Sequence, residues 1–155
     1  MEIRLATEKD IDRIQDLLYS VQSLHADGRP DTFVHGTRKY TDTQVKEIIA
    51  CEDTPIFVGE MDGEVMAYAF CEIFESVGTN NLRSLKTLYI DDLCVDEKYR
   101  GKGFGQEMYG FVKSVAKQRG CYHLTLNVWH LNQSAVRFYQ KLGMKPLKTT
   151  MEEIL

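Results

Sequence analysis

Two periods of hydrophobic residues alternate along the chain and predict both strands and helices. Ile3 and Leu5 alternate with polar neighbours and predict a first strand, and further strands are predicted at residues 56–60, 64–74, 87–95, 121–128 and 149–155. The 3.6-residue period of an amphipathic helix runs from Ile11 to near Ser23, from Thr41 to Cys51, from Phe104 to Gly120 and from Asn132 to Gly143. The pattern therefore predicts the order β-α-α-β-β-β-α-β-α-β, a chain of class α/β (α+β).

Capping and turn residues support the predicted ends of these elements. Thr7 precedes three charged residues and predicts a helix N-cap, and Asp62-Gly63 predicts a tight antiparallel hairpin. Asn132 is placed to cap the last helix, which Gly143 ends. No repeat or linker interrupts the order, so we expect residues 1–155 to form a single domain.

Composition narrows the classes of protein and of partner. The chain has 155 residues, of which 43% are hydrophobic, and its net charge at pH 7 is −4. It has neither a basic stripe nor an apolar run of about 18 residues, so neither nucleic acid nor a membrane is expected as a partner. The sequence begins directly with strand-like alternation, and its four cysteines form no Cys-x-x-Cys pair. We therefore expect a cytosolic protein with free thiols and no metal.

The most informative segment is a predicted strand that runs into a glycine-rich turn. Residues 93–105 read Leu-Cys-Val-Asp-Glu-Lys-Tyr-Arg-Gly-Lys-Gly-Phe-Gly, and a helix is predicted to begin at the end of this run. Such a turn lets an oxyanion approach the backbone and the unpaired N–H groups of a helix start. The spacing fits neither a Walker A loop nor a Gly-x-Gly-x-x-Gly fingerprint. We expect a phosphate-binding turn, and a tight turn without a ligand is the alternative.

Two motifs resemble those of one family. The run Arg-x-x-Gly-x-Gly, from Arg100 through Gly103 to Gly105, looks like motif A of the GNAT superfamily of N-acetyltransferases. Residues 127–144 resemble the family's motif B, with its Asn, Ala, Phe-Tyr and Leu-Gly positions present. The resemblance covers essentially the whole chain. It implies the GNAT fold, a mixed and mostly antiparallel central sheet flanked by helices.

The resemblance also implies acetyl-coenzyme A as co-substrate, with its pyrophosphate in the glycine turn and its pantetheine arm along the preceding strand. The residues that the resemblance implies for cofactor binding are Leu93, Cys94, Val95, Arg100, Gly101, Lys102, Gly103, Phe104, Gly105, Gln106, Asn132, Ala135 and Tyr139.

Acetyl transfer from a thioester to an amine needs a polarised carbonyl, a proton for the leaving thiolate and a neutral amine. In the family a backbone N–H of the strand before the glycine turn holds the oxyanion, which here means residues 93–95. Tyr139 stands at the position of the family's general acid, and a core aromatic residue is the alternative. Asn132 lies about two helical turns before Tyr139, where it can serve as a helix cap, as a cofactor contact or as both.

Two neighbouring carboxylates are candidates for the general base. Asp91 and Asp92 interrupt an apolar strand, where an unpaired buried carboxylate is costly. Because neighbouring strand residues face opposite sides, at least one should point inward. Residues 90–95 also resemble, locally, a stretch of diamine acetyltransferases in which acids face the acceptor amine. We prefer Asp92 over Asp91, Glu72 is a third option, and an ion pair with a local lysine or arginine is the alternative.

In the family the segment after the first helix builds much of the acceptor pocket, here residues 25–40. His25 or His35 is an alternative base, and Cys94 is expected to be a buried apolar residue and not a nucleophile. The resemblance thus implies an acetyl-CoA-dependent N-acetyltransferase for a primary amine of a small molecule or peptide, with a cationic acceptor expected. A non-catalytic acyl-CoA-binding sensor or scaffold is the alternative. Homodimers are common in the family, and the sequence does not decide the oligomeric state.

Overall fold

The computed structural model describes residues 1–155 and contains five strands and four α-helices. The elements are β1 Glu2–Leu5, α1 Ile11–Gly28, α2 Asp42–Ile49, β2 Ile56–Met61, β3 Glu64–Glu75, β4 Lys86–Val95, α3 Phe104–Gln118, β5 His123–Leu126 and α4 Gln133–Lys141. Short 3₁₀ turns precede α1 and follow β4. The predicted order is confirmed as far as the last helix. None of the helices is both long and apolar enough to cross a lipid bilayer.

The five strands form one sheet in sequence order, β1-β2-β3-β4-β5. The first three pairings are antiparallel, and β4 pairs with β5 in parallel. The β2–β3 hairpin turns at Asp62 and Gly63, whose φ angles are 54° and 81°. Positive φ at both central residues suits the twist of a two-residue hairpin, so the Asp-Gly prediction is confirmed.

Each face of the sheet packs against its own helical layer. On one face Met108 and Val112 of α3 are fully buried beside Leu88 and Ile90 of β4. On the other face the apolar stripe of α1 and Val45 of α2 cover β2 and β3, with Tyr68 fully buried among them. Removing this apolar surface from water is the main favourable term that holds the layers together.

One predicted helix boundary and one predicted strand are wrong for physical reasons. Helix α1 continues to Gly28, beyond the predicted end near Ser23, because Ala26 in its last turn is completely buried. The predicted strand at residues 149–155 is absent. A strand needs a neighbouring ladder, and this tail is held instead by a side-chain ion pair in which Arg29 donates to Glu152 at 3.0 and 3.1 Å.

A β-bulge interrupts β4 beside the end of β5. Phe70 of β3 pairs with Asp92, but the next residue, Cys71, pairs with Ile90, so Asp91 has no partner in the ladder. The parallel pairing with β5 ends at Ile90 and Leu126, while β4 continues to Val95. The last five residues of β4 therefore have a strand partner on one edge only. This half-free edge positions the candidate site.

Candidate active site

The glycine turn presents the N-terminus of α3 to solvent. Gly101 and Gly103 have φ angles of 77° and 88°, in the left-handed region that favours glycine. Gly103 is the N-cap of α3, and no side chain caps the helix. The first backbone N–H groups of α3, at residues 104–106, therefore point outward without intrahelical acceptors, at the positive end of the helix dipole. The predicted turn is present, and its geometry fits an anionic group.

A cleft of about 410 Å³ begins at this turn and runs between the end of β4 and helix α4. Thirteen residues line it: Leu93, Val95, Tyr99, Arg100, Gly101, Gly103, Phe104, Gly105, Gln106, Ser134, Ala135, Phe138 and Tyr139. The wall is apolar near α4 and polar at the turn, where the Arg100 side chain is fixed by donating to the Val95 carbonyl at 3.1 Å. This polarity suits a ligand with an anionic end and a less polar arm.

Gly105 allows α3 and α4 to approach each other. A Cβ atom at this position would lie 3.3 and 3.5 Å from two ring carbons of Phe138, and 3.7 Å from Cγ2 of Val95. The third glycine of the motif therefore permits the close packing of α3 against Phe138 of α4. Backbone conformation favours glycine at positions 101 and 103, whereas helix packing favours glycine at position 105.

Because of the bulge, both carboxylates lie on the same face of the sheet. The expectation that Asp91 and Asp92 face opposite sides is wrong, since the extra residue shifts the alternation by one position. The Tyr68 hydroxyl donates to Asp92 Oδ2 at 3.2 Å, and the Tyr40 hydroxyl donates to Asp91 Oδ2 at 2.5 Å. Both tyrosines belong to or pack against the core under α1 and α2.

The two carboxylates differ in their counter-ions. Asp91 Oδ2 is 2.7 Å from the Lys39 ammonium, so the ion-pair alternative holds for Asp91. Asp92 has no direct cationic partner, and burial raises the pKa of its carboxyl from 3.8 to about 6, with a further contribution from the Asp91 charge. The more distant Lys39 charge and the Tyr68 hydrogen bond oppose this rise in pKa. Asp92 is thus the carboxylate with the basicity that suits a proton acceptor near neutral pH.

Tyr139 is one of the residues that line the cleft. Its ring packs against Phe138 and Tyr109, with ring centroids 5.0 and 6.3 Å apart. Burial raises the pKa of its hydroxyl well above the ordinary value, and the Asp92 charge raises it further. The phenol therefore stays protonated at any working pH. It is close enough to Asp92 for the two groups to interact electrostatically.

Not every predicted cofactor residue lines the cleft. The side-chain Oδ1 of Asn132 caps α4 by accepting from the Ala135 N–H at 3.1 Å, which confirms the cap. Cys94 is buried in the core on the opposite face, and burial raises the pKa of its thiol to about 12, as expected of an inert residue. Lys102 is not among the residues that line the cleft, and its ammonium lies 5.3 Å from the ring centroid of Tyr99. For Cys94, only the backbone on the β4 edge is available to a ligand.

Sequence reasoning missed several side chains at the site. Tyr99, Ser134 and Phe138 line the cleft, and Phe138 stands next to Tyr139 in the second motif, where it could have been included. Lys39 lies within residues 25–40, but no sequence signal connects it with an aspartate 52 residues away. Tyr68 is an ordinary strand aromatic by pattern, and only the strand register reveals its contact with Asp92.

The segment between α1 and α2 lies beside Asp91, which contacts Lys39 and Tyr40 of this segment. Residues 29–41 contain no helix or strand. Together with α1 and the start of α2, Tyr40 and its neighbours border an open polar recess of about 640 Å³. His25 packs against Phe33, and burial lowers the pKa of its imidazole. Phe33 in turn meets the Trp129 ring edge-on at 5.3 Å. His25 therefore belongs to an aromatic cluster, with no contact to either aspartate.

The cysteines and the side chains that could bind a metal are the remaining reactive groups. Its four cysteines are free thiols, of which Cys71 and Cys94 are buried. No group of three or more His, Cys, Asp or Glu side chains is close enough together to hold a metal ion.

Comparison with known proteins identifies the family of this chain. The sequence matches the Acetyltransferase (GNAT) family over residues 18–144. This chain belongs to the GNAT family. The match begins inside α1 and ends just after α4, so it includes the whole of the cleft.

Two named relatives act on amines. The chain is 30% identical over 129 residues to mouse thialysine N-epsilon-acetyltransferase, covering 83% of this chain and 66% of the relative. It is 26% identical over 85 residues to the spermine/spermidine N(1)-acetyltransferase of Bacillus subtilis, covering 54% of this chain and 55% of the relative. The chain thus spans about half to two thirds of these relatives.

Two solved structures show the same fold. The BH1408 protein of Bacillus halodurans, solved as a tetramutant, is 30% identical with a TM-score of 0.96, and each chain covers 100% of the other. The aminoglycoside N-acetyltransferase AAC(6')-Iy, solved with CoA, has a TM-score of 0.71 at 16% identity, covering 99% of this chain and 98% of the other. The second likeness shows the fold alone.

Proposed function

We infer that this chain is an N-acetyltransferase that transfers an acetyl group from acetyl-CoA directly to a cationic primary amine. The observation that carries this inference is the arrangement around the free edge of β4. On one side of that edge lies the cleft with Arg100 and the open α3 N-terminus, and on the other side lies Asp92. Tyr139 lines the cleft, and the Asp92 charge contributes to the raised pKa of its hydroxyl.

The residues present fit acetyl-CoA. The exposed N–H groups at the α3 start and the Arg100 guanidinium suit its pyrophosphate. The narrow apolar part of the cleft suits the pantetheine arm, and the unpaired backbone of residues 91–95 can bond the arm's amides in the manner of an added strand. An N–H of the same edge is placed to polarise the thioester carbonyl.

Asp92 accepts a proton from the acceptor amine, and Tyr139 donates a proton to the leaving thiolate. With a carboxyl pKa of about 6, Asp92 is largely ionised at neutral pH and can take a proton from the acceptor ammonium, directly or through water. The neutral amine then attacks the thioester carbon, and its nitrogen loses a second proton to solvent as the amide forms. The Tyr139 phenol, which is protonated because of its raised pKa, donates its proton to the thiolate as the carbon–sulfur bond breaks and regains one from solvent.

The charges around the site favour an acceptor with more than one positive group. Glu72 continues the alternation of Tyr68 and Phe70 on β3, so it lies on the same face as the two aspartates, and it is exposed. Phe70 is the ladder partner of Asp92, which puts Glu72 about 7 Å further along the sheet. Thialysine and the polyamines, named for the relatives above, are acceptors of this charge type.

Kinetics with matched amines can test this proposal. Spermidine and a monoamine of similar length are compared as acceptors for the unaltered chain and for the Glu72→Gln variant, with acetylated product measured by mass spectrometry. We expect a lower KM for spermidine than for the monoamine, and a rise in the spermidine KM of about three- to tenfold in the variant, equivalent to about 1 kcal/mol. Equal use of both amines, unchanged by Glu72→Gln, would remove the argument for a polycationic acceptor.

Non-catalytic binding of acyl-CoA remains the second candidate, because the cleft alone would suffice for it. Binding alone does not require the raised pKa of the Asp92 carboxyl or of the Tyr139 hydroxyl. Tyr139→Phe and Asp92→Asn separate the two functions, since each removes a group needed for turnover and leaves the shape of the cleft wall nearly unchanged.

A further inference from the structure

Lys39 places a primary amine where the acid pair would receive an acceptor. Its Nζ lies 2.7 Å from Asp91 Oδ2 and donates to the Asp91 carbonyl oxygen at 3.2 Å. The same ammonium is 5.5 Å from the centroid of the Tyr40 ring, a distance typical of a cation–π contact. Lys39 belongs to the segment between α1 and α2 that has no helix or strand. An ammonium bound by a carboxylate, a carbonyl and an aromatic face is a full binding site for a cationic amine.

This site and the cleft lie on opposite sides of β4 and meet at its free edge. Asp91 is the bulged residue of β4, and Leu93, two residues further along, already lines the cleft wall. Two residues of extended chain span about 7 Å. The lysine side chain has four rotatable methylenes, and 37% of it is exposed, so rotation can move the ammonium along the strand toward the cleft.

An ordinary surface ion pair in the same chain provides a comparison. Lys46 of α2 lies 2.9 Å from Glu8, and both side chains are about 60% exposed. Simple chemical exposure to acetyl-CoA would therefore favour Lys46 over Lys39. Of these two lysines, only Lys39 pairs with a carboxylate, Asp91, that is adjacent to the proposed general base Asp92.

We propose that Lys39 is acetylated by its own active site when no free amine occupies the acid pair. The inference rests on the proposed function, and the reaction is the same transfer. The Lys39 ammonium gives a proton to the Asp92 carboxylate, and its nitrogen lone pair forms a bond to the thioester carbon. The carbon–sulfur bond breaks, the thiolate takes the Tyr139 proton, and the lysine nitrogen loses its second proton to solvent as the amide forms. Asp92 then releases its proton to solvent, and the Tyr139 phenolate takes one back. The products are acetyl-Lys39, CoA and one proton.

Acetylation of Lys39 would change the acceptor site itself. The side chain loses its positive charge, so Asp91 loses its counter-ion and the site becomes more negative. A cationic acceptor no longer has to displace a resident ammonium. The modification therefore adapts the site to stronger binding of cationic amines.

Peptide mass spectrometry of the full chain can test the proposal. The protein is incubated with isotopically labelled acetyl-CoA and no amine, and the label at Lys39 and Lys46 is followed over time. We expect Lys39 to react at least about tenfold faster than Lys46, at a rate per molecule that does not change on tenfold dilution. Spermidine should suppress the reaction. Tyr139→Phe should lower the Lys39 rate to about that of Lys46, while Lys39→Arg, which keeps the ion pair, should carry no label at position 39.

Three results would overturn the proposal: a Lys39 rate no higher than that of Lys46, a rate per molecule that rises with protein concentration, or a rate unaffected by Tyr139→Phe. Its failure can be distinguished from failure of the proposed function. If free amines are acetylated while Lys39 reacts no faster than Lys46, only this inference falls. If neither free amines nor Lys39 are acetylated, both fall.

Discussion

Replacing Asp92 by asparagine should stabilise the chain at pH 8 and leave its stability nearly unchanged at pH 4. Burial raises the pKa of this carboxyl from 3.8 to about 6. A raised pKa means that the stability contributed by protonated Asp92 is complete below about pH 3.8 and is lost as the pH rises through 6. Above that range, ionised Asp92 is a cost to the folded chain.

The size of this cost follows from the shift in pKa. A rise of about two units corresponds to about 3 kcal/mol. Asp92 is partly exposed, and the Tyr68 hydroxyl remains available as a donor to an asparagine carbonyl, so we expect a gain of about 1 to 3 kcal/mol at pH 8. Asp91→Asn is the matched control. It breaks the ion pair with Lys39 and should be neutral or destabilising by up to about 1 kcal/mol.

Urea unfolding at pH 4, 6 and 8, with reductant to protect the four thiols, measures these differences. The difference between Asp92→Asn and the unaltered chain should grow with pH, and that of Asp91→Asn should not become stabilising. A stability difference for Asp92→Asn that is the same at all three pH values would refute the reasoning, as would destabilisation at pH 8.

The same titration should appear in catalysis. The value of kcat/KM should fall on the acid side with an apparent pKa near 6, and Asp92→Asn should lower the rate and remove this limb. In Asp91→Asn the limb should move to lower pH, because the Asp91 charge raises the Asp92 pKa.

Three further substitutions separate catalysis, packing and capping. Tyr139→Phe should lower kcat by about 10²-fold or more with little change in CoA affinity by calorimetry, since only the proton donor is lost. Gly105→Ala should weaken CoA binding, because the added methyl group pushes against Phe138. The control is Gly110→Ala, also on α3 but with open space around its Cβ, which should leave CoA binding unchanged and stabilise the chain by up to about 1 kcal/mol. Equal effects of the two substitutions would contradict the packing argument. Asn132→Ala should cost about 1 kcal/mol in urea unfolding with a CoA affinity close to normal, and a large loss of affinity would restore Asn132 as a cofactor contact.

Local patterns predicted most of the fold because each depends on a few neighbouring residues. The helical stripe of α3, the Asp62–Gly63 hairpin and the Asn132 cap all follow from short-range geometry. The tail at residues 149–155 shows where this reasoning ends. Its hydrophobic residues suit a strand, but no strand lies beside it, and the Arg29–Glu152 ion pair that holds it joins residues 123 positions apart.

The candidate site was predictable where the motif itself requires a conformation. Gly101 and Gly103 adopt the positive φ angles for which glycine is suited, and they open the α3 N-terminus as predicted. The relation between Asp91 and Asp92 was not predictable. The bulge that turns both toward one face is a property of the pairing between β3 and β4, and neither strand alone reveals the skipped residue.

The most direct test of an acetyl-CoA-dependent transferase is product analysis with labelled acetyl-CoA and a panel of amines, accompanied by calorimetric titration of CoA. We predict CoA binding together with a labelled N-acetyl product from at least one cationic primary amine, and loss of that product in Tyr139→Phe. CoA binding with no labelled product from any amine in the panel would contradict catalysis and favour an acyl-CoA sensor.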